Sequence, residues 1–544
     1  MGRSGLSRRE FLQAAAGGAA GLALGSIARS AGAPTTACTV DGMNILLLVV
    51  EDWTTAGVGC YGNGIVKTPH VDALARTGVR FERAYCQGPI CNPSRTSFCT
   101  GLRPATTGVY NNDQWMSRFL PADATSLAEL MKRNGACTAH MGKLYHYTYT
   151  AEKQMAAFDR IELCELPKDY KGVSKGYKQP PGTRKPRRKP WQFCPDPALD
   201  AELRRRWEER KVLEKEVPLD TPKRWEKVNK PFQQLYAEMV GDLGQHEEYT
   251  PDGKIARYAA QLIGEWAKEG RQFFLSLGMH APHTPLLSPA EYASMYDPDK
   301  MPMPHAPRKD DRGVPDVAVR HGKNFDIFNQ FEQTPGRIRA ALAGYYGCSS
   351  FVDAQIGIVL KALQTAGIAD RTIVVLLSDH GFHLGEHGCW SKYTVFEQST
   401  RVPLIVRVPG AKGNGRACEE IVELVDLLPT LAELWKIKAP GNLEGLSFAP
   451  LLERPETPWK SAAFCTVPLG GLGRAVRTKR YRYTEWARPG RKPDAVELYD
   501  LQSDSWEQHN LAGQADHAQT QARLAALLKE GYTSALPGRS VPGG

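Results

Sequence analysis

Four apolar runs punctuate the chain: Asn44–Val50, Phe273–Gly278, Thr372–Leu377 and Leu404–Val408. Each is short for a helix and nearly free of polar residues, the pattern of strands buried on both faces of a parallel sheet. Between them, apolar residues recur at helical spacing over Pro69–Thr77, Ser126–Arg133, Ile255–Lys268, Arg337–Ala366 and Ile421–Leu434. Strands alternating with helices predict an α/β fold, a large mostly parallel sheet sandwiched by helices. Residues 160–250 break this rhythm with Pro, Lys and charged helix formers and read as an insertion. Beyond Pro455-Glu456-Thr457-Pro458 the texture changes. Ala475–Glu485 and Glu497–Tyr499 read as strands of an antiparallel sheet and Gln519–Leu528 as a closing helix, giving a smaller C-terminal α+β domain. The expected division is therefore 1–33, 34–453 and 454–544.

Composition narrows the class. The 544 residues are 42% hydrophobic and 24% charged, a soluble globular mix that excludes collagenous, coiled-coil and wholly disordered chains. After the first segment, no stretch offers the ~18 apolar residues a membrane span needs. That first segment is a targeting signal. Ser7-Arg8-Arg9-Glu10-Phe11-Leu12 precedes an Ala/Gly-rich run, and Ala31-Gly32-Ala33 offers a cleavage site. It resembles a twin-arginine export signal, so the twin-arginine machinery is an expected partner and the periplasm or exterior the expected location. Removing residues 1–33 takes away four basic residues and one acidic one, lowering the net charge from +10 to +7. Much of the remainder lies between Lys168 and Lys189, read as a solvated surface insertion or, alternatively, as an electropositive rim for an anionic polymer. No nucleic-acid partner is expected from it. The 12 cysteines show no C-x-x-C spacing, and their pairing stays open.

Polar chemistry gathers at the strand ends. Asn44–Val50 runs into Glu51-Asp52, Thr372–Leu377 into Ser378-Asp379-His380-Gly381, and Phe273–Gly278 into His280 and Pro282-His283. Ligands of open α/β sheets bind beyond the carboxyl ends of the strands, so these groups are expected to converge. Acidic and imidazole groups brought together need a cation, and a hard divalent ion is the natural one. Singly, an Asp at a strand end is more often a helix cap; jointly, these are not.

The segment Cys91-Asn92-Pro93-Ser94-Arg95, followed by Cys99-Thr100-Gly101, resembles the signature of the sulfatase family of the alkaline phosphatase superfamily. The family pattern is C-x-P-S-R followed by x-x-x-L-T-G; Cys99 stands where Leu is usual. Further similarity lies in Gly59-Cys60-Tyr61-Gly62, Thr68-Pro69-His70-Val71-Asp72, Gly142-Lys143-Leu144-Tyr145-His146, and Leu384-Gly385-Glu386-His387-Gly388 with Trp390 and Lys392. With Val476-Arg477-Thr478 these resemble the iduronate-2-sulfatase branch most.

The resemblance implies a mechanism residue by residue. Cys91 is expected to be oxidised by a formylglycine-generating enzyme to formylglycine (3-oxoalanine), whose hydrate is the nucleophile. Arg95 is expected beside the sulfate. Lys143 and His146 assist the hydrated aldehyde, and His283 and Lys392 hold sulfate or protonate the leaving alcohol. Glu51, Asp52, Asp379 and His380 match the metal ligands, with calcium expected and magnesium or manganese also admitted by the ligand types. Glu51 departs from the usual Asp, and His380 from the commoner Asn. Tyr110, Asn112, Trp115, Trp390 and Arg477 are the candidates for touching the sugar, although Arg477 can equally be an interdomain ion pair. His280, His383 and His387 are left as rim or supporting groups. The expected activity is hydrolysis of sulfate esters on a sulfated carbohydrate, a 2-O-sulfated uronate foremost. The alternatives are a phosphoester or phosphonate hydrolase and a non-catalytic polysaccharide binder.

Overall fold

The computed structural model describes residues 42–146, 151–162, 197–217, 227–228, 239–319, 333–469, 471–488 and 490–538. The export segment and the basic stretch Lys168–Lys189 lie outside the described residues. The central sheet takes β1 (Asn44–Val50), β2 (Val79–Tyr85), β3 (Cys137–Gly142), β4 (Arg160–Glu162), β6 (Phe273–Met279), β8 (Thr372–Ser378), β11 (Leu404–Arg407) and β12 (Ala417–Glu423). Two small pairs, β5 (Val240–Asp242) with β7 (Leu286–Ser288) and β9 (His383–Leu384) with β10 (Trp390–Ser391), flank it. The sheet order is β12-β2-β11-β8-β1-β6-β3-β4. Neighbours are parallel except at β11, which runs against both β2 and β8.

β1 lies mid-sheet with all seven residues buried, which is why it reads as a continuous apolar run. Ile45, Leu47 and Val49 face a layer that includes the helices Leu127–Arg133 and Leu427–Leu434. Leu46, Leu48 and Val50 face the opposite layer, with helices Pro251–Lys268 and Pro335–Thr365. Ser126 starts the first of these helices through a capping box with Glu129.

Some expected elements change. Ile421 and Val422 do not open a helix: they pair with Arg83 and Ala84 of β2, and the helix begins only at Leu427. Sheet pairing overrides the local helical pattern there. The expected strand Ala475–Glu485 is a hairpin, broken at Lys479-Arg480, where the Thr478 hydroxyl accepts the Tyr481 N–H at 3.0 Å. Arg160–Glu162, assigned to the insertion, is the sheet edge beside β3. Within the insertion, Pro197–Glu216 is a helix.

The C-terminal sheet is antiparallel, in the order β13 (Ala462–Val467), β14 (Leu472–Thr478), β15 (Tyr481–Ala487), β16 (Ala495–Asp500). Its residues alternate between two cores. Val467, Ala475, Trp486 and Tyr499 pack on Ile90, Val395 and Phe396 of the larger body. Ala462, Val476, Tyr483 and Leu498 pack under Leu524, Leu527 and Leu528 of the helix Ala518–Glu530. Among the described residues no helix is long and apolar enough to cross a membrane.

Candidate active site

The carboxyl ends of β1, β6 and β8 and the residues after β3 bring the predicted groups to one place. The Asp379 N–H reaches the Val50 carbonyl at 3.3 Å, and the Asp52 N–H reaches Asp379 Oδ1 at 3.1 Å, locking the two metal-type loops together. Asp52 holds a left-handed backbone (φ 57°), a strained state for a residue with a Cβ. Tyr345, which the sequence did not single out, and Ser378 of the strand-end segment hold it there. Tyr345 Oη donates to the Asp52 carbonyl at 2.8 Å and accepts from Thr54 N–H at 2.9 Å, and Ser378 Oγ accepts from Trp53 N–H at 2.9 Å. Tyr345 sits in an apolar stretch of a long helix, so only its hydroxyl could have hinted at a polar duty. Gly142 and Gly278 are register partners on β3 and β6, and a Cβ on Gly278 would overlap the backbone of Lys143. Their bareness lets Lys143 approach the site.

Cys91 is the first residue of the helix Cys91–Thr100, every residue of which is buried. Its N-terminus favours an anion. Cys91 Sγ lies 3.1 Å from Lys392 Nζ, 3.3 Å from Glu51 Oε1 and 3.4 Å from His380 Nε2. Lys392 Nζ donates to Asp52 Oδ1 at 2.7 Å, and Lys143 Nζ is ion-paired to Glu51. Arg95 Nε meets Asp379 Oδ2 at 2.9 Å and Nη1 meets the Leu144 carbonyl at 3.1 Å, while Nη2 is buried without a hydrogen-bond partner. His283 is half-buried, with Nε2 at 3.9 Å from Asp52 and 4.0 Å from Glu51. His146 is buried in the same neighbourhood. Cys99, at the position usually Leu, packs in the core as that position requires.

Charge behaviour follows from burial. Desolvation pushes the Cys91 thiol up to about 12, against the pull of Lys392 and Lys143, so an unmodified thiol here is a poor nucleophile near neutrality. Burial would also raise Glu51, but Lys143, His283, Arg95 and Lys392 hold it well below the ordinary carboxylate range. Desolvation disfavours the cation of Lys392, yet Asp52 and Cys91 reverse this and hold the ammonium protonated. Burial first, then Lys143, keeps His146 neutral by lowering it well below 6.5.

The donor set fits a divalent cation. Asp52, Asp379, His380 and Cys91 each offer one atom to a cluster spanning less than 4.8 Å, and Asp52 joins Glu51 and His283 in a second. His380 Nδ1 lies 2.9 Å from the Gly381 carbonyl, a bond that places its proton there and leaves Nε2 an acceptor. That acceptor faces Asp52 Oδ1 at 3.3 Å and Asp379 Oδ2 at 3.5 Å. Burial holds the imidazole towards its neutral form, and three acceptors gathered this closely suit a cation.

Residues 43–437 match the family described as Sulfatase. The chain belongs to the sulfatase family. It is a sulfuric ester hydrolase of the alkaline-phosphatase-like fold, and residues 385–533 also match "N-sulphoglucosamine sulphohydrolase, C-terminal". This sulfatase is similar to the iduronate 2-sulfatase of Homo sapiens, 28% identical over 90% of this chain and 95% of that protein. It is 27% identical to an ulvan-active sulfatase of Formosa agariphila, over 90% of this chain and 80% of that one. The solved phosphonate monoester hydrolase of Agrobacterium radiobacter shares the fold with a TM-score of 0.68 at 24% identity, covering 89% of this chain and 94% of that one.

The residues expected to touch sugar scatter. Trp390 in the sulfatase is fully buried in the core. Arg477 is buried against Glu397 at 3.0 Å, the interdomain ion pair given as its alternative. Asn112 supports the nucleophile instead, its Oδ1 accepting the Asn92 N–H at 3.0 Å. Tyr110 is buried, and Trp115 carries the Arg118 guanidinium 3.9 Å above its ring. His387 is buried against Asp311 at 3.0 Å, and His383 is bonded to Thr394 at 2.7 Å.

Proposed function

We propose that this sulfatase hydrolyses sulfate esters on a sulfated carbohydrate, a 2-O-sulfated uronate first, using a formylglycine formed from Cys91. The observation that carries the reading is the convergence on Cys91 Sγ of Lys392, Glu51 and His380, each within 3.4 Å. The family generally uses a metal and formylglycine, and similarity to the human iduronate 2-sulfatase supports the uronate choice. Asp52, Asp379, His380 and Glu51 would hold the cation, calcium foremost. When bound, it would supply charge against the sulfate and favour ionisation of a hydroxyl. Formylglycine hydrate would supply the attacking oxygen and a second hydroxyl for sulfate release.

The chain's own residues do the rest. A sulfate ester is anionic, and Arg95, Lys143 and Lys392 offset its repulsion from three carboxylates in a site shielded from water. Arg95 Nη2 has a hydrogen to give a sulfate oxygen. Lys392 holds its proton firmly and acts as charge rather than as acid. His283 is the more accessible proton carrier and is assigned to the leaving alcohol. Neutral, buried His146 is assigned to accept a proton as sulfate departs. Export through the twin-arginine machinery, maturation by a formylglycine-generating enzyme, a periplasmic or extracellular location and the domain division at 453/454 belong to the same reading.

The test is a panel: a disaccharide ending in 2-sulfated iduronate, other sulfated sugars, and phosphate and phosphonate esters, offered to protein co-expressed with a formylglycine-generating enzyme. Sulfate release, fastest from the 2-sulfated uronate, is expected. Preferential cleavage of phosphorus esters would overturn the reading in favour of a phosphoester hydrolase. Binding of sulfated sugar without turnover would leave a binding protein.

A further inference from the structure

Five residues before the nucleophile, the chain leaves β2 and runs along β13 of the C-terminal sheet. Tyr85 packs with Ala463 in one small buried cluster, and the Gln87 carbonyl accepts the Thr466 N–H at 3.0 Å. The two segments therefore run side by side, with Cys86 between these contacts on one and Phe464 and Cys465 between them on the other. Both cysteines are buried, at 0% and 6% exposure; Cys86 Sγ lies 3.8 Å from the Ser399 carbonyl, and Cys465 is close enough to raise the Cys86 thiol. Nothing in the mechanism uses either sulfur. All nine described cysteines are thiols in this structure, and Cys91, the one the reaction needs, is occupied by Glu51, His380 and Lys392.

We infer that Cys86 and Cys465 are a disulfide-forming pair that fastens the nucleophile segment to the C-terminal sheet when the protein meets an oxidising environment. Each thiol loses a proton and the pair loses two electrons as one S–S bond forms. The acceptor is a disulfide of the thiol-exchange class, such as oxidised glutathione, which is reduced to two thiols. A disulfide needs Cα atoms within ~7 Å, and the Thr466–Gln87 backbone bond one residue further along brings the two segments side by side. Burial and the neighbouring thiol hold Cys86 well above its ordinary value, so the folded pair is slow to ionise and oxidation proceeds through transient opening of the joint. The bond would close a loop of several hundred residues holding six of the eight strands of the central sheet. It would also fix Gly88, which lies against Pro93 of the nucleophile helix and the Thr466 carbonyl.

The experiment uses the purified full-length protein in two states, reduced with dithiothreitol and equilibrated with oxidised glutathione at mild temperature. Each is unfolded in iodoacetamide, digested without reduction and mapped by mass spectrometry, so the answer depends neither on export nor on sulfatase activity. The expected result is a Cys86–Cys465 linked peptide in the oxidised sample alone, with a Tm higher by about 3 °C or more than the reduced sample. In C465S the linked peptide disappears, Cys86 is alkylated and the Tm no longer responds to oxidant. Alkylation of both cysteines in the oxidised wild type, or linkage of Cys86 to any other cysteine, would overturn the inference. The wild-type map decides it even if C465S does not fold.

Discussion

The helix Cys91–Thr100 runs between two buried charge clusters. Just past its end, Arg103 forks onto Glu423 at 2.8 and 2.6 Å, Lys460 bridges Glu423 and Asp426 at 2.9 and 2.6 Å, and the Phe464 and Leu446 N–H groups complete the carboxylates at 2.9 and 2.8 Å. At its start, Glu51, Asp52 and Asp379 meet Lys143, Lys392 and Arg95, three charges against three where the first cluster sets two against two. The difference lies in what is left over. The first cluster turns its carboxylate oxygens to cations and backbone donors and ties the C-terminal sheet to the body. The second points a neutral imidazole acceptor at carboxylates and centres on a thiol. Comparable burial and formal charge thus give a structural joint in one place and a site built for a cation and an anionic ligand in the other.

Substitutions can separate the two. Cys91→Ala should cost about 10⁴-fold or more in kcat/KM, with thermal stability close to wild type. Asp379→Asn should lower kcat/KM at least about 100-fold and also destabilise, because it strips the buried Arg95 guanidinium of its countercharge. Glu423→Gln should do the reverse: a loss of about 3–5 kcal/mol in denaturant unfolding, with kcat/KM of the folded fraction within about twofold of wild type. Large loss of turnover in Glu423→Gln would merge the two clusters into one functional unit.

The smallest effect is a pH dependence outside both clusters. Burial raises the Glu497 carboxyl to about 7, while Tyr499 Oη and Trp486 Nε1 donate to it at 2.6 and 2.5 Å. A carboxyl raised above its unfolded value of 4.5 contributes stability that is full below that value and lost as pH rises through 7. Glu497→Gln should therefore leave Tm nearly unchanged near pH 5 and raise it relative to wild type at pH 8. An equal Tm difference at both values would contradict this.

The sheet's centre was legible because β1 and β8 are buried on both faces and carry no alternation to misread. β2 was not, because Val79–Tyr85 alternates charged and apolar residues, and its pairing with β12 is decided by distant chain. The ligand-type residues and Cys91 could be read from motif and strand-end position. The supporting role could not: Tyr345, and Ser378 of the strand-end segment, act on backbone groups of a loop whose shape is set only when β1 and β8 pair.

The most direct measurement is sulfate release from a disaccharide ending in 2-sulfated iduronate, with and without a metal chelator, by matured wild type beside Cys91→Ala. The account predicts release by wild type that the chelator abolishes and added calcium restores, with none from the variant. Release that persists in Cys91→Ala, or is indifferent to chelation, would contradict it.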